Sequence, residues 1–162
     1  MGVAGKSLFV NLGEVIVTCD QEAILSCMGI GSCIAVCMYD PKRKVGGMAH
    51  VVLPKSNGAA ANAKYADIAI PLLIKNIREQ GGEKFRLVVK IVGGAQMATS
   101  TNNNSAPIGT NNVSAVTASL SDAGLKIAAA DTGGNFGRSV QLNVGTGQVF
   151  TRMSGKQFHE LV

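Results

Sequence analysis

Residues 29–50 read GIGSCIAVCMYDPKRKVGGMAH, and this stretch predicts the hairpin around which the chain folds. Residues 33–39 (CIAVCMY) are apolar, β-branched and aromatic, which is typical of a buried strand. Asp40-Pro41 opens a turn, because proline presets the backbone dihedral at the second turn position. Residues 45–53 (VGGMAHVVL) are then predicted to return as the partner strand of a β-hairpin.

The register of this hairpin decides whether Cys33 and His50 share a face of the sheet. If residues 41–42 are the loop, Cys33 lies directly opposite His50, and if residues 41–44 are the loop, the two are diagonal neighbours. The Cβ atoms of opposed residues lie about 4.5–5.5 Å apart, and diagonal neighbours about 7–8 Å apart. Both registers let the thiol meet the imidazole, whereas a one-residue bulge would send the side chains to opposite faces.

A cysteine beside a histidine is a pair that can attack an amide. A neighbouring imidazole is expected to lower the pKa of Cys33 from about 8.5, and the thiolate then attacks the amide carbon while His50 protonates the departing nitrogen. The competing interpretation is a buried core cysteine and a core histidine with no chemical role. The backbone amides around Gly31, Ser32 and Cys33 are candidates for an oxyanion hole, and the alternative is an ordinary glycine bend.

The 162-residue length predicts one domain, residues 1–162, with loose tails at 1–7 and 155–162. Apolar residues make up 46% and charged residues only 15%, which is typical of a globular chain. The net charge is +5, but the basic residues are scattered and no arginine-rich run occurs. Nucleic-acid binding is therefore disfavoured, and an acidic protein partner is the better expectation.

The cysteines and the start of the chain indicate a compartment. None of the four cysteines forms a CxxC pair, which disfavours a structural zinc site. The first residues lack the features of an export signal, and no apolar run approaches the roughly 20 residues that span a bilayer. We expect a cytoplasmic protein without membrane insertion, whose thiols are reduced.

Hydrophobic periodicity predicts two amphipathic helices among many strands. Residues 64–80 and 110–123 have apolar residues at helical spacing, although Pro71 interrupts the first. Residues 23–27 are predicted to form a strand that ends before the glycine-rich bend. Two helices against many strands predict an α+β domain.

Six motifs in order, GIGSC, MAHVVLP, KYAD, GGAQM, IGTNN and DTGGNFGRSV, resemble the CheD family of chemoreceptor glutamine deamidases over residues 12–152. The resemblance implies a layered α/β/β/α sandwich of mixed sheets with helices outside. It implies that Cys33 is the nucleophile and His50 the acid/base in deamidation of glutamines on methyl-accepting chemotaxis receptors, without a metal or an organic cofactor. It further implies two partners, the chemoreceptor cytoplasmic domains and a CheC-type phosphatase, and we expect a monomer when the protein is free.

Cys27 departs from the family pattern, which usually has a threonine at this position to orient the histidine. A thiol is a weaker hydrogen-bond partner than a hydroxyl. Three outcomes are open: Cys27 orients His50 poorly, a backbone carbonyl orients His50 instead, or activity is reduced. Cys27 could also trap Cys33 in a disulfide. This departure keeps open a non-catalytic adaptor that binds receptors or the phosphatase, and a generic cysteine hydrolase is a weaker third reading.

Two further features are expected to play no catalytic part. The glycine-rich stretch DTGGNFGRS at 131–139 lacks the lysine-serine ending of a P-loop, which disfavours nucleotide binding. Asp131 and Arg138 within it are predicted to be structural ion partners. His159 lies in the predicted C-terminal tail and is expected to be inert.

Overall fold

Two five-stranded sheets and two helices make up the part of the chain that the structure, a computed structural model, describes: residues 5–58, 62–97 and 107–162. The predicted α+β class is confirmed. Neither helix of these residues has the length and apolar character that crossing a bilayer requires. The elements are β1 (Lys6–Phe9), β2 (Val15–Thr18), β3 (Ala23–Ile30), β4 (Ile34–Asp40), β5 (Val45–Val51), α1 (Ala66–Glu79), a 3-10 turn (Lys84–Arg86), β6 (Val88–Gly93), α2 (Ile108–Asp122), β7 (Ile127–Thr132), β8 (Arg138–Asn143), β9 (Val149–Met153) and β10 (His159–Glu160).

The two sheets are both mixed and pack face to face. Sheet A has the strand order β1-β3-β8-β9-β10, and sheet B has the order β2-β5-β4-β6-β7. Within them, β1 runs parallel to β3 and β6 runs parallel to β7, while the other neighbours are antiparallel. The inner faces share one apolar core, to which sheet A contributes Leu25 and Leu142 and sheet B contributes Cys37 and Met48. The active-site candidates lie at one end of this interface.

Both helices lie on the outer face of sheet B, where Leu73 and Leu120 pack against Val36 and Ile91. Helix α1 joins β5 to β6, and α2 joins β6 to β7. These three strands are parallel to one another, and both connections move across the sheet towards the β7 edge. Crossover connections between parallel strands are almost always right-handed. Two crossovers that move across a sheet in the same direction therefore place their helices on the same face. The expected layered sandwich of mixed sheets with helices outside is confirmed, and its order in the described residues is α/β/β.

The β4–β5 hairpin adopts the longer of the two loops that the sequence allowed. Ala35 pairs with His50, which makes Cys33 the diagonal neighbour of His50 on the same face. The Asp40 carboxylate accepts hydrogen bonds from the backbone amides of Lys42 (2.9 Å) and of the residue after it (3.2 Å). This side chain therefore stabilises a turn that spans residues 41–44.

Residues 6–9 and 159–160 belong to sheet A, so the expectation of loose tails at 1–7 and 155–162 is wrong for these parts of the two segments, and residues 1–4 lie outside the described residues. Lys6 begins β1, which pairs with β3, and β10 pairs with β9. Leu161 beside β10 is 9% exposed and packs into the core between the sheets. Strands of two to four residues carry little periodic signal, which is why the composition of these ends did not predict them.

Strand β3 also continues further than predicted, through Ile30 rather than ending at Cys27. Its pairing with β8 is irregular between Cys27 and Ile30, where Gly29 adopts a φ of 63°. The irregularity turns the chain towards the bend that carries Cys33, because a bulge bends its strand locally.

Candidate active site

Cys33 follows the bend formed by Gly31 and Ser32 and immediately precedes β4. Two backbone hydrogen bonds hold this bend against the chain that follows β6. The amide of Gly94 donates to the Cys33 carbonyl (2.9 Å), and the amide of Ala95 donates to the Gly31 carbonyl (2.9 Å). The Cys33 side chain is partly exposed at a cleft, so the thiol is held by a fixed backbone and remains accessible.

His50 lies on β5 at the same cleft, and its side chain is only 6% exposed. Its backbone is held on both sides, since its amide donates to the Glu14 carbonyl (3.0 Å) and its carbonyl accepts from the amide of Gly13 (3.0 Å). The ring atom Nδ1 lies 2.9 Å from the carbonyl oxygen of Val10. The other ring nitrogen, Nε2, is buried without a hydrogen-bond partner among the described residues.

The Val10 contact assigns the tautomer of His50. A carbonyl oxygen can only accept a hydrogen bond, so Nδ1 carries a proton, and in the neutral tautomer the lone pair is then on Nε2. Val10 is itself fixed, because its amide donates to the carbonyl of Ser26 (2.8 Å). The ring therefore offers a base nitrogen at a cleft that it shares with the Cys33 thiol.

Cys27 lies behind the imidazole rather than in the cleft lining. Its Sγ is 3.6 Å from His50 Nδ1, 3.5 Å from the Val10 carbonyl oxygen and 3.5 Å from Met48 Sδ. The contact of His50 with Val10 is shorter, and an N–H to carbonyl bond is stronger than one to sulfur. Of the possibilities left open by the sequence, this geometry favours a backbone carbonyl as the group that orients His50.

The cleft encloses about 550 Å³ and lies between the residues after β1 and the bend before β4. Three apolar side chains line it and remain strongly exposed: Phe9 (56%), Leu12 (61%) and Met28 (45%). Ser26, whose buried hydroxyl has no partner among the described residues, also contributes to the lining. The cleft thus combines an apolar rim with polar atoms that have no hydrogen-bond partner in the part of the chain that the structure describes.

Burial raises the pKa of both thiols near the cleft. Burial raises the pKa of Cys33, and the backbone amide of the same residue offsets part of that effect. Burial, with a smaller contribution from nearby Cys33, raises the pKa of Cys27 to about 12. The expectation that the imidazole lowers the pKa of Cys33 does not hold for the resting site, because the cost of burying a thiolate dominates.

An ion pair organises the glycine-rich stretch at 131–139. Arg138 is buried, its Nε lies 3.1 Å from an Asp131 carboxylate oxygen, and it donates to the Gly133 carbonyl (2.7 Å). Thr151 donates to the second oxygen of Asp131 (3.1 Å). These contacts confirm the predicted structural pairing of Asp131 with Arg138. His159 is exposed on β10.

Comparison with known proteins gives consistent results. Residues 52–153 match the family model described as CheD chemotactic sensory transduction. The chain is 45% identical to the "Chemoreceptor glutamine deamidase CheD" of Thermotoga maritima, covering 90% of this chain and 91% of the relative. It is 36% identical to the "Probable chemoreceptor glutamine deamidase CheD" of Archaeoglobus fulgidus, covering 93% and 95%. The chain belongs to the CheD family.

Two residues of this site could not be predicted from local sequence patterns. Val10 contributes only its carbonyl, and a backbone group leaves no mark in the sequence. Asn112, whose side chain bonds to the Ser32 carbonyl, lies 80 residues from it along the chain. The IGTNN motif that contains Asn112 carries the family resemblance, and the signal in the sequence is a polar residue that shares helical spacing with Val116 and Leu120 on the apolar face of α2.

Proposed function

We propose that this protein is a protein-glutamine deamidase that converts glutamine side chains of methyl-accepting chemotaxis receptors to glutamate. The observation that carries the proposal is the hydrogen bonding of His50 in a cleft that it shares with Cys33. Its Nδ1 is bonded to the Val10 carbonyl, and its Nε2 has no hydrogen-bond partner among the described residues. The names of the relatives, chemoreceptor glutamine deamidases, support the same substrate class.

The first half of the reaction forms a thioester. His50 Nε2 takes the proton from the Cys33 thiol as the sulfur attacks the amide carbon of the glutamine side chain. The tetrahedral intermediate carries its negative charge on the former carbonyl oxygen. When it collapses, the carbon–nitrogen bond breaks, and the nitrogen leaves as ammonia with the proton that His50 held.

The second half restores the enzyme. His50 Nε2 takes a proton from water, whose oxygen attacks the thioester carbon. The carbon–sulfur bond then breaks, His50 returns the proton to the sulfur of Cys33, and the product is the glutamic acid side chain, which releases its proton to solvent as glutamate. Because burial raises the pKa of the Cys33 thiol, His50 works as a general base during attack and no resting ion pair is required.

The oxyanion of both intermediates is assigned to backbone amides of the bend. The Gly31 carbonyl accepts a hydrogen bond from Ala95, so the amide of Ser32, in the same planar peptide group, points the other way. The amides of Ser32 and Cys33 are therefore the proposed donors, and the glycine at 31 lets the backbone approach the substrate closely.

The cleft suits a side chain presented by a protein. Its exposed rim of Phe9, Leu12 and Met28 can contact an apolar surface around the target glutamine, and a protein substrate supplies such a surface. We further propose that the protein acts in the cytoplasm as a monomer when free, on chemoreceptor cytoplasmic domains. A CheC-type phosphatase is the proposed second partner, and neither metal nor organic cofactor takes part in the steps above.

Mass spectrometry of a chemoreceptor cytoplasmic fragment after incubation with the protein tests this function. Specific glutamines should show the increase in mass that accompanies conversion of an amide to a carboxylic acid, and ammonia should be released. Cys33→Ala and His50→Ala should each slow ammonia release by roughly 10³-fold or more, and the double variant should be no slower than the single variants, because the two residues act as a unit.

Cys19→Ala is the matched control, since Cys19 is an exposed thiol outside the cleft lining. It should deamidate at the rate of the unmodified protein. Binding of the fragment without any mass change would favour the adaptor, and full activity in Cys33→Ala would rule out the thioester.

A further inference from the structure

Asn112, on α2, is fully buried and holds two backbone carbonyls with one amide group. Its Nδ2 donates to the carbonyl of Ser32 (2.9 Å) and to the carbonyl of Val52 (3.0 Å). Ser32 directly precedes Cys33, and Val52 lies two residues after His50. Asn112 thus ties together the two chain segments that carry the proposed nucleophile and base.

Fold stability alone is a weak reason for this side chain. Asn112 Oδ1 is buried and has no hydrogen-bond partner among the described residues. An unpaired buried acceptor costs about 1–3 kcal/mol, whereas each neutral hydrogen bond contributes only about 0.5–1.5 kcal/mol. The cost offsets much of the gain from the two bonds. Neighbouring buried positions of α2, such as Val116 and Leu120, are apolar and carry no such cost.

The Ser32 bond has a geometric consequence for Cys33. The peptide group that joins them is planar and trans, so its carbonyl and its N–H point in opposite directions. Holding the Ser32 carbonyl towards α2 therefore holds the Cys33 N–H on the other side. That N–H lowers the pKa of the Cys33 thiol and so lies near the sulfur, and the oxyanion of the proposed intermediate forms on the carbon that the sulfur attacks.

We propose that Asn112 is a positioning residue that aims the Cys33 amide at the oxyanion by holding the Ser32 carbonyl. This role rests on the proposed deamidase function. The oxyanion exists only in the tetrahedral intermediates, so losing the bond should lower kcat and leave KM nearly unchanged. Removing an oxyanion donor costs roughly 10²–10³ in kcat, and mis-aiming one should cost roughly 10–100-fold.

The test compares two substitutions of Asn112 with a matched control on the same helix. Asn112→Ala removes the amide, and Asn112→Asp keeps its volume but removes both donated hydrogen bonds. The control is Val116→Ala, which truncates a fully buried side chain one turn later without touching Ser32. For each folded variant we would measure kcat and KM for ammonia release from a chemoreceptor cytoplasmic fragment, the melting temperature, and the rate of Cys33 alkylation by iodoacetamide.

Alkylation is the readout that separates positioning from general damage. Attack on iodoacetamide displaces iodide and forms no oxyanion, so both Asn112 variants should alkylate within about threefold of the unmodified protein while kcat falls roughly 10–100-fold. Val116→Ala should lose melting temperature but keep kcat within about threefold.

Other results would overturn the proposal. It fails if the folded Asn112 variants keep kcat within about threefold of the unmodified protein. It also fails if a higher KM accounts for the fall in kcat/KM, or if the alkylation rate falls by as large a factor as kcat. It also fails if neither Asn112 variant folds, because the residue would then be structural. An unmodified protein that releases no ammonia would overturn the proposed function itself, which is a distinguishable result.

Discussion

The Nδ1 atom of His50 lies 2.9 Å from the carbonyl oxygen of Val10. In many sites of this chemistry a side chain orients the catalytic histidine, whereas here a backbone carbonyl at the end of β1 has the position to do so. A backbone group cannot be lost by substitution at its own position. The identity of the residue at 27 is therefore less constrained than the family pattern suggests.

Cys27→Thr and Cys27→Ala should both retain activity. Because the Val10 carbonyl already accepts from His50 Nδ1, the alanine variant should release ammonia within about threefold of the unmodified protein, and the threonine variant at an equal or higher rate. The rates would be compared on one chemoreceptor fragment. A loss beyond about tenfold in Cys27→Ala would show that the thiol, and not the Val10 carbonyl, holds the imidazole.

Alkylation of Cys33 should require a higher pH than alkylation of an ordinary thiol. Burial raises the pKa of Cys33, and only the thiolate reacts, so the fraction that reacts at a given pH is reduced. The midpoint of the pH–rate curve should lie above about 8.5, the usual value for cysteine. Peptide mapping after short pulses of iodoacetamide, with a single-cysteine peptide as the reference, gives this curve.

A midpoint below the reference would contradict that expectation. It would mean that Cys33 and His50 form a thiolate–imidazolium pair at rest, as the sequence first predicted. In that case His50→Ala should move the midpoint upwards, whereas a neutral resting pair predicts little change.

The hairpin could be predicted from the sequence because its signals are local. Asp40-Pro41 between two apolar runs predicts the turn, and the period of two places Cys33 and His50 on one face whichever even loop forms. The choice between the loops depends on hydrogen bonds of the Asp40 side chain, which periodicity does not report.

The rest of the site depends on contacts between distant parts of the chain. The Val10 carbonyl meets His50 only because β1 pairs in parallel with β3. Asn112 meets Ser32 only because the crossover that contains α2 returns over sheet B. The apolar run at residues 33–39 predicts burial of the strand, but the extent to which Cys33 itself is buried, and hence its pKa, depends on the residues packed around it.

Asp40→Asn should destabilise the fold without touching the cleft. Burial would raise the pKa of Asp40, but the ion pair with Arg86 (2.9 Å) and backbone amides, including that of Glu83, outweigh burial and lower the pKa to about 2. Asp40 is buried but Arg86 is partly exposed, so the substitution mainly leaves the hydrogen-bond donors around Asp40 without their charged acceptor, which costs about 1–3 kcal/mol. Denaturant titration at neutral pH should show a loss of this order in the free energy of unfolding.

The pH dependence of the same group follows from its lowered pKa. The stability that Asp40 contributes is present above the unfolded value of about 3.9 and is lost as the pH falls towards about 2. Asp40→Asn should lack this part of the acid dependence. Asp122→Asn, which removes an exposed carboxylate, is the control. It should change the free energy of unfolding by no more than about 0.5 kcal/mol. An equal loss in both variants would contradict the role of the buried pair.

Gly93→Ala should impair catalysis by displacing the nucleophile. Gly93 ends β6 with a φ of 125°, and a methyl group there would collide with the carbonyl oxygen of Cys33. That carbonyl is held by the amide of Gly94, so relief of the collision must move the bend that carries the thiol. A misplacement of about 1 Å can cost roughly 10²-fold, and we expect kcat for ammonia release to fall by roughly this factor.

Gly124→Ala separates this effect from backbone strain. Gly124 also has a positive φ, 77°, but a methyl group there would meet nothing within 4 Å. Its substitution should cost about 1–2 kcal/mol of stability and leave kcat unchanged, because a left-handed backbone is unfavourable for any residue with a Cβ atom. If Gly93→Ala loses stability as Gly124→Ala does and yet keeps full kcat, the Cys33 carbonyl can yield without moving the thiol. The fixed bend would then not be what positions the nucleophile.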